Sequence, residues 1–389
     1  MSVVSVSEIA DRLNARAGEL ARELLPNGRL SGNKWICAGV HDSGSGSSMW
    51  VHLTGSKQGQ WADAGNCPSD EEHGDMIDLL RHVRFGGNKG AAIAEAKRRL
   101  GIADEFTPAA SRPSAADMAR QAEARRARAE QRSEAEAKER AAKIRGAKAL
   151  FLHGAARSIE GTPAEAYLLG RGISAGIGKD GGATRWPGSL RYHPEVWNAE
   201  RRLKLPALLA MIVTPLGQHV GTHRIWLQPS AGRAFSGQAG WTKLDAEHAK
   251  KVLGTFWGGF VPVNKGASGK SMREAFGGSG AGDEPIYMCE GIEDALVIRA
   301  KLPGVRIVCA VSLGNMGAIV FPAAARRLVV VADRDDKAPE VDKLERAIAQ
   351  QQARGMQVST VLPPVGYKDI NDWAQGHAAP RSCSRKGAA

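Results

Sequence analysis

No stretch of the sequence approaches the ~18 consecutive apolar residues of a membrane-spanning helix, so no membrane partner is expected. The N-terminus, MSVVSVSEIADRL, lacks the apolar core of a secretory signal and reads as the start of a helix. Cysteine is scarce: five residues scattered along 389 suit a reducing, cytoplasmic setting. Cys289 and Cys309 fall inside apolar runs, where a small core residue is the simplest reading. Acidic residues are outnumbered, 41 against 53 Lys and Arg, which leaves a formal net charge of +12. That excess favours an anionic partner, nucleic acid before a membrane surface; a basic composition with no partner behind it is the plainer alternative. The length allows two or three domains with real cores.

Against these shortages stands one dense stretch, Pro285 to Trp373. It opens PIYMCEGIEDALVI, where the apolar run Ile286 to Cys289 delivers Glu290 and Gly291 just before a helical pattern. In RLVVVADRDD a second run, Leu328 to Ala332, ends on Asp333, Arg334, Asp335 and Asp336. QVSTVLPP is then followed by YKDINDW, which supplies Asp369 and Asp372. Three strand-like segments therefore each lead into carboxylates. In an open parallel sheet, ligands bind in the crevice outside the carboxyl ends of the strands. Carboxylates gathered there repel one another unless a hard divalent cation sits among them, which points to Mg²⁺ (or Mn²⁺).

The order EG, then a strand ending DxD, then KDxND resembles the Toprim domain, shared by bacterial-type primases, type IA and II topoisomerases and certain nucleases. The coarse elements agree: strand 286–289, helix 292–302, strand 305–311, a short helix near 318–326, strand 328–332, helix 339–354 and strand 357–362. Alternating β and α elements imply an α/β fold, a mostly parallel sheet with helices on both faces. The resemblance implies Asp333 and Asp335 as the principal metal ligands, since residues i and i+2 at a strand end can converge while Arg334 points elsewhere. It implies Glu290 as a bridge to a second ion or as general base. Asp369 and Asp372 are candidates for ligation or support, and Asp336 and Glu293 are weaker ones. A metal-free acidic rim is the bland alternative.

Upstream, residues 151–262 contain YLLGRGI, LRYHP, PALLA, GTHRIWL and KKVLG. This order is similar to the mixed α+β segment preceding Toprim in phage- and plasmid-type primases, where it forms the other wall of the cleft. Two apolar runs flanking Pro215-Leu216-Gly217 read as a hairpin. Candidate contacts to nucleotide or nucleic acid are Arg171, Arg224, Arg233, Lys250 and Lys251, because a polymerising site must hold phosphates. An ordinary surface charge is an equal reading for any one of them, and His223 reads as structural.

Residues 103–150 are rich in Ala, Arg and Glu, polar all round, and read as a charged helical linker paired with itself. Residues 1–102 combine an amphipathic helix, Ile9 to Leu25, with short strands around Lys34–Ala38, Met49–Leu53 and Gln60–Asp63, then helices at GDMIDLLRHV and GAAIAEAKRRLGI. That order resembles the small α+β zinc-ribbon-like N-terminal domain of bacterial-type primases in degenerate form. Cys37 and His41 are four apart, but Trp61 and Asp63 stand where the second knuckle belongs. Cys67 and His73 complete a set only with irregular spacing, so bound zinc is not expected. Trp35, Trp50 and Trp61 read as core, with base stacking as the alternative. NKGASGKSM imitates a phosphate-binding loop, but its first glycine position holds Asn264 and no clear strand leads into Gly266. The Toprim-like segment is expected over 263–375, with a disordered tail at 376–389.

The resemblance implies a DNA primase: a nucleotidyltransferase making short RNA primers from NTPs on a single-stranded DNA template, with a separate replicative helicase as partner. Two alternatives stay open, a metal-dependent Toprim nuclease and a non-catalytic DNA-binding replication-accessory protein. A topoisomerase is disfavoured, because none of the four tyrosines lies in a recognisable strand-cleavage segment.

Overall fold

A computed structural model of the chain describes residues 4–39, 48–63, 73–102, 115–176, 184–233, 239–277, 284–335 and 338–376. It divides into two units, Met1–Ala137 and Lys138–Ala389. No helix among the described residues is long and apolar enough to cross a membrane.

In the first unit, α1 (Val6–Ala15) and α2 (Ala17–Leu24) occupy the stretch expected as one helix. The break falls at Arg16, whose φ of −101° and ψ of 20° leave the helical region, and Gln58 donates to the carbonyl of Ala15 (3.1 Å). An antiparallel meander follows: β1 (Arg29–Ser31), β2 (Lys34–Cys37), β3 (Met49–His52), β4 (Trp61–Asp63) and β5 (His73–Gly74), in sequence order across the sheet. A capping box between Asp75 and Asp78 starts α3 (Met76–Arg84), and the Asn88 side chain caps α4 (Lys89–Arg99). The helices and the sheet close over Ile9, Leu13, Met49, Trp61 and Leu80. Trp61 is core and donates through its indole N–H to the Asp75 carbonyl (3.0 Å). Trp50 stays half-buried beneath the Lys34 ammonium, 4.9 Å from the ring centroid. Cys37 is buried, which pushes its thiol up to about 11. His41 and Cys67, the other residues weighed for zinc, lie outside the described residues, and His73 is exposed on β5.

The charged stretch forms a single helix, α5 (Ala115–Phe151), of 37 residues. Arg128 and Arg132 pair with Asp11 at 2.9 and 3.2 Å within the first unit. At its other end Ala147 and Phe151 are buried in the second unit.

The second unit begins with α6 (Pro163–Gly170), capped by Thr162 with proline in its first turn. Next come β6 (Leu190–Asn198), β7 (Leu203–Val213), β8 (His219–Arg233), β9 (Ala239–Lys243) and β10 (Lys250–Gly254). These form an antiparallel sheet in the order β10-β8-β7-β6, with β9 pairing the far part of β8. The expected hairpin joins β7 to β8, its turn closed by Gly217 at φ +83°. Strand alternation sorts the side chains: Leu208, Ala210, Ile212, Ile225 and Leu227 enter the larger core, while Ala207, Leu209 and Trp226 meet Phe151 on the other face.

The remaining elements are β11 (Val261–Lys265), α7 (Met272–Phe276), β12 (Ile286–Cys289), α8 (Ile292–Lys301), β13 (Arg306–Cys309), α9 (Leu313–Met316), β14 (Arg327–Val331), α10 (Ala338–Ala353), β15 (Gln357–Val361) and α11 (Ile370–Gln375). They build the expected α/β sheet in the order β11-β13-β12-β14-β15, with the last four strands mutually parallel and β11 antiparallel at one edge. Residues of α8 and α11 pack on one face, residues of α9 and α10 on the other. The core under α8 is shared with the face of the antiparallel sheet that carries Leu208 and Ile225.

Two local expectations are corrected. A strand does lead into Gly266, namely β11, but it is an antiparallel edge strand and the helix after the loop has only five residues. The loop closes on Arg306, whose guanidinium donates to the Lys270 carbonyl (3.0 Å) and the Ser268 hydroxyl (3.2 Å) and pairs with Glu284 (2.6 Å). No helix forms over 318–326; the helical turn comes earlier, at α9. There the buried Asn315 amide donates to the carbonyls of Gly259 and Ala310 (2.8 Å each), and Pro322 disfavours a helix at the residue before it.

Candidate active site

Parallel pairing decides where the acidic residues meet. Cys289 at the end of β12 is in register with Val331 at the end of β14. Glu290 and Asp333 therefore leave adjacent strand ends on the same rim of the sheet. Glu290, Asp333 and Asp335 line one cavity there, together with Glu340 from the first turn of α10. Arg334 turns away, donating to the Pro363 carbonyl (2.7 and 3.2 Å), while its backbone N–H donates to the Lys368 carbonyl (2.7 Å). These bonds hold the loop before α11 against the DxD turn. Asp369 caps α11 by accepting from the Asp372 N–H (2.7 Å). Neither Asp369 nor Asp372 lines the cavity itself. Asp336 lies outside the described residues.

The electrostatics show how close the carboxylates are. Burial raises the pKa of Asp333 to about 6, and the negative charges of Asp369, Glu290 and Asp335 add to the rise. Glu290 is also raised, first by burial and then by Glu340 and Asp335, although the Leu313 N–H and Lys250 oppose the shift. Asp294, on the first turn of α8, is pushed up to about 7 by burial and by Asp333 and Asp369. It accepts from the Asn371 N–H (3.1 Å), which ties α8 to α11. Gly291 leaves room beside it: a Cβ there would stand 2.8 Å from the Asp294 carboxylate, which would have to shift.

Carboxylates that repel one another are a donor set short of positive charge, and a divalent cation fits that deficit. Among the described residues, no three His, Cys, Asp or Glu side chains form a ready cage.

The basic candidates divide. Lys250 points into the shared core side of its sheet, and its ammonium is 3.8 Å from Glu293. Arg224 and Lys251 are register partners on the opposite face, where Arg224 stacks over Trp226 at 5.0 Å; the structure does not bring them to the carboxylates. Arg171 caps α6 and meets the Asn371 amide at 2.9 Å, so it joins α6 to α11. Arg233 is placed only by its backbone pairing with Ala239, and its side chain lies outside the described residues. His223 is buried on β8, consistent with a structural role.

Glu293, a weaker metal candidate by sequence, is committed elsewhere. Its buried carboxylate pairs with Lys243 (2.7 Å) and accepts from the Tyr167 hydroxyl (2.7 Å). Sequence reasoning missed Asp294, Glu340, Lys243 and Tyr167. Asp294 had a signal, lying four residues after Glu290 at a helix start; Lys243 had none beyond strand alternation.

Residues 285–379 match the family model described as the Toprim domain. The chain carries a Toprim domain. Ahead of it, residues 142–263 match a domain of unknown function (DUF7146). A comparison with the curated proteins finds no match. Among solved structures, the Aquifex aeolicus primase (zinc binding and RNA polymerase domains) is similar at 12% identity and TM-score 0.34, over 97% of this chain and 83% of that one. The primase fragment of the bacteriophage T7 primase-helicase protein is 14% identical, with TM-score 0.27, over 48% of this chain and 62% of that one. A DNA primase domain from Pseudomonas aeruginosa is 13% identical, with TM-score 0.30, over 49% and 53%. The Toprim match coincides with the sheet whose rim gathers Glu290, Asp333 and Asp335.

Proposed function

We propose that this Toprim protein is a primase, joining NTPs into short RNA primers on single-stranded DNA with Mg²⁺ or Mn²⁺. The observation that carries the reading is one cavity lined by Glu290, Asp333 and Asp335 at the strand ends of the Toprim sheet. Asp333 and Asp335, with Glu290, would hold the divalent cation, which supplies charge to activate the 3′-hydroxyl and to neutralise the pyrophosphate leaving group. Glu290, its affinity for a proton raised by burial, is suited to take the proton from that hydroxyl. Asp369 adds negative charge from behind, Asp294 is pushed toward its protonated form there, and Lys250 offers a positive group to the triphosphate. Asn371 and Arg171 fix α11 against α6.

The test is primer synthesis on single-stranded DNA with labelled NTPs and Mg²⁺ or Mn²⁺. NTP-dependent oligonucleotides are expected, reduced on the order of 100-fold or more in Glu290→Gln and Asp333→Asn. Degradation of the template instead would replace this reading with a nuclease. DNA binding without turnover, unchanged by both substitutions, would replace it with an accessory role.

A further inference from the structure

We infer that Glu293 is a positioning residue, whose carboxylate sets Lys243 of β9 and Lys250 of β10 side by side to receive the phosphates of a nucleotide. The inference rests on the proposed reading only for the identity of the anion. Its geometry stands alone.

The Glu293 side chain is 7% exposed, while the lysine side chains it meets keep more of their surface, 27% for Lys243 and 41% for Lys250. One carboxylate faces two lysines, at 2.7 and 3.8 Å, so the pair of lysines carries more positive charge than Glu293 neutralises. Burial works to neutralise Glu293, but Lys250, Lys243 and the Tyr167 hydroxyl hold it well below the usual carboxylate range. Such a fully paired carboxylate is spoken for and does not join the metal set. Lys250 also lies close enough to Glu290 to oppose the rise in its pKa. The surplus charge thus sits between the antiparallel sheet and the carboxylate rim.

Chain geometry explains why one residue can do this. Glu293 and Asp294 are consecutive on the first turn of α8, and successive helical positions diverge around the axis. Asp294 goes to the Asn371 N–H and the acidic cluster, Glu293 to the lysines. Lysine stems are long and flexible, and two ammonium groups drawn together repel; without the carboxylate they lose their common orientation. Two further buried polar atoms around these residues lack partners, Arg171 Nε, which is a donor, and His223 Nδ1, whose role depends on the tautomer.

The experiment measures equilibrium binding of Mg²⁺-ATP by the full chain, using a fluorescent ATP analogue as probe, alongside steady-state primer synthesis. Glu293→Gln keeps the shape and is expected to weaken nucleotide binding and raise the NTP KM about tenfold, with kcat changed by less than about threefold. Glu293→Asp should recover most of the loss. In the Gln background, Lys243→Met should add less than about twofold, because its contribution passes through the missing carboxylate. If Glu293→Gln fails to fold by circular dichroism, Lys243→Met alone is expected to weaken binding by about the same factor. Unchanged binding in the folded variant, a fall in kcat with KM unaltered, fully additive effects, or wild-type protein that binds no nucleotide would each overturn the inference. Wild-type protein that binds nucleotide in this Glu293-dependent way yet makes no primer would instead overturn the primase reading and leave the inference standing.

Discussion

At the residue scale, the acidic rim and the buried histidine make opposite contributions. Asp333 carries a charge that its neighbours resist, so replacing it relieves repulsion even as it removes a proposed ligand. In EDTA, Asp333→Asn is expected to raise Tm by a few degrees, about 1 kcal/mol for a unit of this size. Mg²⁺ should raise the Tm of wild-type protein and leave the variant nearly unchanged; a variant less stable than wild type in EDTA would count against the repulsion. His223 behaves in the reverse sense. Burial, helped by Lys250, pushes it down to about 4. The unfolded chain, with an ordinary histidine near ~6.5, then binds more protons than the folded one between the two values. The stability it contributes is fully present above about pH 6.5 and is lost as pH falls toward 4, at about 1.4 kcal/mol per pH unit. His223→Gln should therefore lose less Tm than wild type between pH 7.5 and pH 5. Parallel pH curves would remove the histidine from the account.

At the element scale, β10 is held close to β8 by two glycines in register, Gly221 and Gly254. A Cβ at Gly221 would stand 2.1 Å from the Thr255 carbonyl oxygen, and one at Gly254 would stand 2.4 Å from that of Val220. Backbone cannot yield as a flexible side chain does. Gly221→Ala is expected to destabilise the fold by about 2 kcal/mol or more, read from the denaturant midpoint. Since β10 carries Lys250, nucleotide binding should weaken with it. Much of the element order was legible in the sequence. The strands before Glu290 and Asp333 are uninterrupted apolar runs ended by charge, the mark of parallel strands buried on both faces. Less legible were the break at Arg16, which a carbonyl-seeking side chain from a distant loop accommodates, and β11, whose neighbour in the sheet is more than forty positions downstream.

At the scale of the whole molecule, the net charge of +12 predicts salt-sensitive binding to single-stranded DNA, because phosphate contacts release counterions. Affinity in a fluorescence titration is expected to fall on the order of tenfold or more between about 50 and 200 mM salt. A flat response would place the excess charge outside any nucleic-acid contact. By itself the sequence determined which carboxylates stand at strand ends, since an apolar run followed by Glu290 or by Asp333-Arg334-Asp335 is a local pattern that short-range geometry reads out. Tertiary structure alone decided which basic side chains accompany them. Strand alternation says that Lys250 and Lys251 lie on opposite faces, but not which face meets α8. That depends on how two sheets share a core, and the same packing turned Glu293 from a possible ligand into the partner of Lys243.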